Sequence, residues 1–102
     1  MAVARAIRGE AARRFNLSVH ALESRSRQEP LVWARHLAMH AIRKHCPNAT
    51  FKDVGRMFGG RDHSTARFAC AAVEDALATP GHRHEDATAF AAWCEEMVKD
   101  LK

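Results

Sequence analysis

The stretch Thr50-Phe51-Lys52-Asp53-Val54-Gly55-Arg56-Met57-Phe58-Gly59-Gly60-Arg61-Asp62-His63-Ser64-Thr65-Ala66-Arg67-Phe68-Ala69-Cys70-Ala71-Ala72-Val73 decides the fold. Thr50 and Asp53 form a capping box in which the shorter Asp stands for the usual Glu. Phe51, Val54, Met57 and Phe58 give the short helix that follows an apolar side. Gly59-Gly60 breaks it. Asp62 caps a second helix, whose inward face is Ala66, Ala69, Cys70, Val73 and Leu77. A short capped helix, a tight turn and a second capped helix make the pattern of a helix-turn-helix, in which the second helix offers its first residues to base edges in the major groove. Here those residues are Asp62, His63, Ser64 and Thr65. All are hydrogen-bonding side chains, at a helix terminus whose free N–H groups and dipole favour a phosphate. A generic helical hairpin has the same spacing. In that case Asp62 is only a cap and the other residues are surface.

On the N-terminal side, Pro30 suits the first turn of a long helix running to about Cys46, with Ala34, Ala38, Ala41, Ile42 and His45 on one face and Pro47-Asn48 as its stop. Residues 23–30 read as an exposed basic loop. Before it, Ser18 caps a short helical turn carrying Leu22. A first helix spans 2–15, with Val3, Ile7, Ala11 and Phe15 one turn apart and Asn16 as terminator. On the C-terminal side, Thr79-Pro80-Gly81 ends the second motif helix. His82-Arg83-His84 reads as an exposed loop. A last helix carries Phe90, Cys94, Met97, Val98 and Leu101 inward and acidic residues outward. The expected fold is all-α: one small domain over 1–102 with a helix-turn-helix, a long central helix and an acidic C-terminal helix.

With 102 residues, 47% of them apolar, the chain can build one modest core. Charge is unevenly placed. Residues 1–67 carry 13 Lys and Arg against 5 Asp and Glu, whereas residues 68–102 carry 3 against 7. A basic front two-thirds points to a polyanion, although an uneven solubility surface gives the same count. The widely spaced Cys46, Cys70 and Cys94 read as buried free thiols, not a disulfide framework. No apolar run has membrane-spanning length and the start lacks a secretion signal, so the expected location is the cytoplasm, at the nucleoid. His36 and His40 stand one helical turn apart and His82 and His84 lie near Glu85, but no cysteine pair has zinc spacing. No metal or cofactor is expected. Nor is an enzyme: no phosphate-binding loop with Gly-Lys-Ser/Thr is present, and Asp62 and His63, about 100° apart on a helix, do not form a catalytic pair.

Gly59-Gly60-Arg61-Asp62-His63-Ser64-Thr65 closely resembles the signature of the C-terminal DNA-binding domain (domain IV) of the bacterial chromosomal replication initiator family, DnaA. Arg35-His36-Leu37-Ala38-Met39 is similar to that family's Arg-Gln-x-Ala-Met segment, and Val54-Gly55-Arg56-Met57-Phe58-Gly59-Gly60 to its Ile-Gly-x-x-Phe-Gly-Gly. The clear match covers residues 35–73, with a weaker one over 1–34. The resemblance implies sequence-specific binding to a short duplex site, the DnaA box, with Asp62, His63, Ser64 and Thr65 facing bases. An Asp can accept from a cytosine amino group, a His can donate to a base acceptor, and a Thr methyl can pack on a thymine methyl. Phosphate contacts are expected from Arg25, Arg27, Arg35, Thr50, Lys52, Arg56, Arg61 and Arg67; such contacts position the protein without reading sequence.

Two departures stand out. The family usually has Thr-Thr where this chain has Ser64-Thr65. It also ends the basic loop with Arg-Pro, the arginine entering the minor groove, where this chain has Trp33-Ala34. Trp33 cannot supply a guanidinium to that groove, so Arg25 or Arg27 must substitute or the reading is lost; as a structural residue, Trp33 is simply half-buried in the helix. The expectation is a short natural DNA-binding protein, not a fragment of a full initiator, acting on replication initiation or transcription without an ATPase. The alternative is a protein-interaction module that kept the fold and lost duplex reading, contacting the initiator or another protein through its last helix.

Overall fold

Asn16 adopts a left-handed φ of 56° and ends the first helix, α1 (Ala2–Arg14). The Leu17 N–H donates to the Ala12 carbonyl (2.8 Å) and the Asn16 N–H to that of Arg13 (3.2 Å). This closure satisfies carbonyls that a helix end leaves open. In this computed structural model, which describes residues 2–101, a 3₁₀ turn follows at His20–Glu23, with the Ser18 hydroxyl accepting from the Ala21 N–H. The basic loop leads into α2 (Leu31–His45), α3 (Phe51–Arg56), α4 (His63–Ala78) and α5 (His82–Asp100). Every described secondary-structure element is helical, as the sequence pattern predicts.

The centre is α2, which packs against α1, α3, α4 and α5. The single face expected from the sequence was too narrow: Leu31, Trp33, Leu37 and Met39 are buried along with Ala34, Ala38, Ala41 and Ile42. A helix with neighbours on most sides is apolar on most sides. Ile7, Leu22, Val54, Phe58, Val73, Phe90 and Cys94 complete one apolar cluster drawn from every helical element, each such large side chain stabilising by about 1.5–3 kcal/mol. Burial pushes the Cys70 thiol up to about 11 and the Cys94 thiol up to about 12, so both are uncharged packing groups.

His82-Arg83-His84 is not an exposed loop. These residues form the first turn of α5, and the last two are half-buried. The helix starts at Gly81, without a side-chain cap, so the sequence carried no local signal for its start. His84 Nδ1 lies 3.1 Å from the Ala76 carbonyl and pins the corner between α4 and α5. No described helix is long and apolar enough to cross a membrane.

Candidate nucleic-acid interface

Both halves of the Thr50–Asp53 capping box are formed: the Thr50 N–H donates to Asp53 Oδ2 (3.0 Å) and the Asp53 N–H to Thr50 Oγ1 (3.1 Å). The turn after α3 uses left-handed backbone at Gly59 (φ 81°) and Gly60 (φ 73°). A Cβ on Gly59 would collide with the Glu23 carbonyl, and one on Gly55 with the Arg61 carbonyl. The missing Cβ at Gly59 lets the 3₁₀ turn come close to the glycine turn, and the one missing at Gly55 lets the segment leading into α4 lie directly on α3, where the Arg61 N–H donates to the Gly55 carbonyl at 2.9 Å. The carbonyls just past the end of this short helix are satisfied by side chains: Arg8 donates to Met57 O (2.9 Å) and Arg61 Nη1 to Phe58 O.

Asp62, His63, Ser64 and Thr65 are all exposed. Asp62 Oδ1 accepts from the Thr65 N–H (2.9 Å), the Ser64 hydroxyl (2.7 Å) and the Thr65 hydroxyl (3.1 Å). Donation from the Thr65 backbone, followed by the hydroxyls, holds the carboxyl below the usual carboxylate range. Asp62 therefore organises the turn as well as belonging to it. The hydroxyl protons of Ser64 and Thr65 point at the carboxylate, so their outward lone pairs are free to accept from donors such as a base amino group.

The expected phosphate contacts divide. Arg25, Arg27, Thr50, Lys52, Arg56 and Arg67 are exposed. Arg35 is a correction: it is 5% exposed, with Nε donating to Leu22 O (2.9 Å) and Nη2 to Ser24 O (3.0 Å) and Ser26 O (3.3 Å). Burial, then the charge of Arg61, lowers its pKa to about 10. It shapes the basic loop from inside and is withdrawn from a surface role. Arg61 is half-buried and also turned inward, donating to Phe58 O and, at 2.6 Å, to Ser24 O. Burial, then the charges of Arg25 and Arg27, lowers its pKa. Ser24 is thus tied to both arginines, which fixes the loop against the turn before α4.

Trp33 is 3% exposed. Its Nε1 donates to Asp86 Oδ2 (3.2 Å), and the Arg83 guanidinium covers its ring at 4.6 Å while pairing with Glu29 (2.9 Å). The first turns of α5 bury this position. Trp33 is more deeply placed than a half-buried helix residue, and it presents no surface to a partner. Of the apolar series expected inward on the last helix, Phe90 and Cys94 are buried and Met97 and Val98 half-buried, whereas Leu101 is a correction: it lies past the last turn of α5 and is exposed.

Two features went unread in the sequence. Arg43 stacks on one side of the Phe51 ring (4.8 Å) and Arg67 also lies over it (5.4 Å), and Arg43 Nε is buried without a hydrogen-bond partner. Phe68, outside the inward series of α4, is exposed. Its absence from that periodic series was the signal that could have found it.

A short doubly capped helix, a turn closed by left-handed glycines and a longer helix with an exposed polar first turn define a helix-turn-helix protein of the nucleic-acid-binding class. The chain belongs to the bacterial dnaA protein helix-turn-helix family, whose model matches residues 4–73. Among curated relatives it is similar to the chromosomal replication initiator protein DnaA of Trichormus variabilis, 39% identical over 56 residues (55% of this chain, 12% of the relative). The protein of the same name from Agrobacterium fabrum is 38% identical over 66 residues (65% and 13%). That from Roseiflexus castenholzii is 27% identical over 85 residues (83% and 18%). The chain thus spans less than a fifth of the length of these relatives.

Proposed function

We propose that this protein binds double-stranded DNA sequence-specifically at DnaA-box-like sites and so regulates replication initiation or transcription. His63, Ser64 and Thr65 read bases in the major groove, with Asp62 both reading and ordering the two hydroxyls. Arg25, Arg27, Thr50, Lys52, Arg56 and Arg67 contact phosphates, and Arg43 joins Arg67 at the Phe51 ring. Residues 1–102 act as one binding module, without ATPase chemistry, in the cytoplasm at the nucleoid. The observation that carries the reading is the exposed, carboxylate-organised polar turn that opens α4 directly after the glycine turn. The interaction-module alternative loses one of its two motives, because Trp33 is consumed by the core; the acidic residues Glu95, Glu96 and Asp100 of the last helix stay exposed.

Fluorescence anisotropy with a duplex carrying a DnaA box, against a scrambled duplex of equal composition, tests it. A single mismatch in the box should weaken binding by about 1–3 kcal/mol. The logarithm of affinity should fall by about 0.9 per contacted phosphate for each tenfold rise in salt. Equal affinity for both duplexes removes the specific claim.

A further inference from the structure

Phe68 is the most solvent-exposed of the large apolar side chains among the described residues, at 68%. Single exposed apolar residues are ordinary on protein surfaces; the position of this one is not. The core side of α4 is Ala66, Ala69, Cys70, Val73 and Ala76. Phe68 lies four residues after Ser64, one turn along the outward face that begins with the polar turn. Its ring meets the His36 ring edge-on, with centroids 5.9 Å apart and planes at 80°, which favours one orientation. The neighbouring Arg67 leans away onto Phe51. Ala71, on the next turn of the same face, is exposed and ends at its methyl group.

We propose that Phe68 packs against the C5-methyl group of a thymine in the major groove, one helical turn beyond the bases faced by the start of α4, and selects thymine there. The thymine methyl is the apolar feature of the major-groove edge, and an apolar side chain on the reading face recognises it without a hydrogen bond. Phe68 thereby adds an apolar contact to a polar reading surface whose own methyl supply is reduced by serine at position 64. This inference rests on the duplex-binding reading above.

The test uses the full chain and duplexes selected by it from a random pool, with each thymine replaced in turn by 2′-deoxyuridine, which deletes only the methyl group. At one thymine the replacement should weaken wild-type binding roughly three- to tenfold, the range expected for one buried methyl, and leave the affinity of Phe68→Ala unchanged. Elsewhere the two proteins should respond alike. Because Phe68 is outside the core, circular dichroism melts of the two should coincide. Identical deoxyuridine penalties for both proteins at every thymine overturn the role of Phe68 while leaving duplex reading intact. If the wild-type chain selects no duplex at all, duplex reading and this inference fall together.

Discussion

The opening turn of α4 and the opening turns of α2 are both places where the DnaA resemblance expects contact with DNA, and the fold treats them oppositely. At α4 the polar groups of residues 62–65 stand in solvent, those of Asp62, Ser64 and Thr65 held in place by hydrogen bonds to one another. At α2 the equivalent opportunity is closed: Trp33 lies beneath α5, capped by Arg83 and hydrogen-bonded to Asp86. A position that reaches outward in the family's pattern has here become part of the core. What remains available beside it is the loop, whose exposed Arg25 and Arg27 are carried on a backbone anchored by Arg35 and Arg61. On the proposed reading, the major-groove surface keeps its exposed polar turn, whereas any minor-groove contact falls to the loop arginines and not to position 33.

The sharpest way to break this contrast is to put the family's arginine back. Trp33→Arg should destabilise the protein by about 3–5 kcal/mol, combining the lost packing of a buried aromatic with the burial of a charge, and should not strengthen DNA binding. Urea unfolding and duplex titration measure the two effects. A variant of unchanged stability that binds more tightly would show position 33 open to the groove, and the contrast would collapse.

Arg35 comes next. Removing it with Arg35→Ala leaves the Leu22 and Ser26 carbonyls without their arginine donor and Ser24 held by Arg61 alone, at a cost of about 3 kcal/mol. A phosphate contact would instead lower DNA affinity and leave unfolding unchanged, so chemical denaturation separates the roles. At the open end, His63→Ala should erase about 1–3 kcal/mol of preference for the selected duplex with no change in melting temperature, because His63 is exposed. Retained preference would move base reading elsewhere.

The same division explains what could be read in advance. Helix order and most boundaries were legible because they are written locally, in Asn16, in the Thr50–Asp53 box, in Gly59-Gly60 and in Asp62. The residues at the start of α4 were legible for the same reason: a polar cluster at a helix N-terminus is a pattern of adjacent residues. Arg35 and Trp33 were misjudged because their partners are remote. Asp86 lies 53 residues from Trp33, and the carbonyls that hold Arg35 come from 9 to 13 residues earlier, out of the 3₁₀ turn and the irregular loop after it. A charge next to a polar loop looks exposed until the surrounding helices are in place.

The buried side of the contrast also has its own pH dependence. His36 sits one turn after Trp33 on α2, and burial lowers its pKa below the ordinary 6.5; Glu29 opposes that shift, while Arg35 and Arg83 add to it. Burial lowers His45 in the same direction. Between those lowered values and 6.5 the unfolded chain binds more protons than the folded one, so stability is fully present above 6.5 and declines as the pH falls through that window. The carboxylates of Glu10, Asp53 and Asp62 are shifted downward from ordinary values of 4.5, 3.8 and 3.8 and enter only in stronger acid. Urea unfolding at pH 7.5 and pH 5.5 should therefore give a lower midpoint at the acidic value, and His36→Gln should flatten the difference. Equal pH slopes for wild type and His36→Gln would mean that protons reach His36 freely in the folded protein, and that the region around Trp33 is more open than its packing indicates.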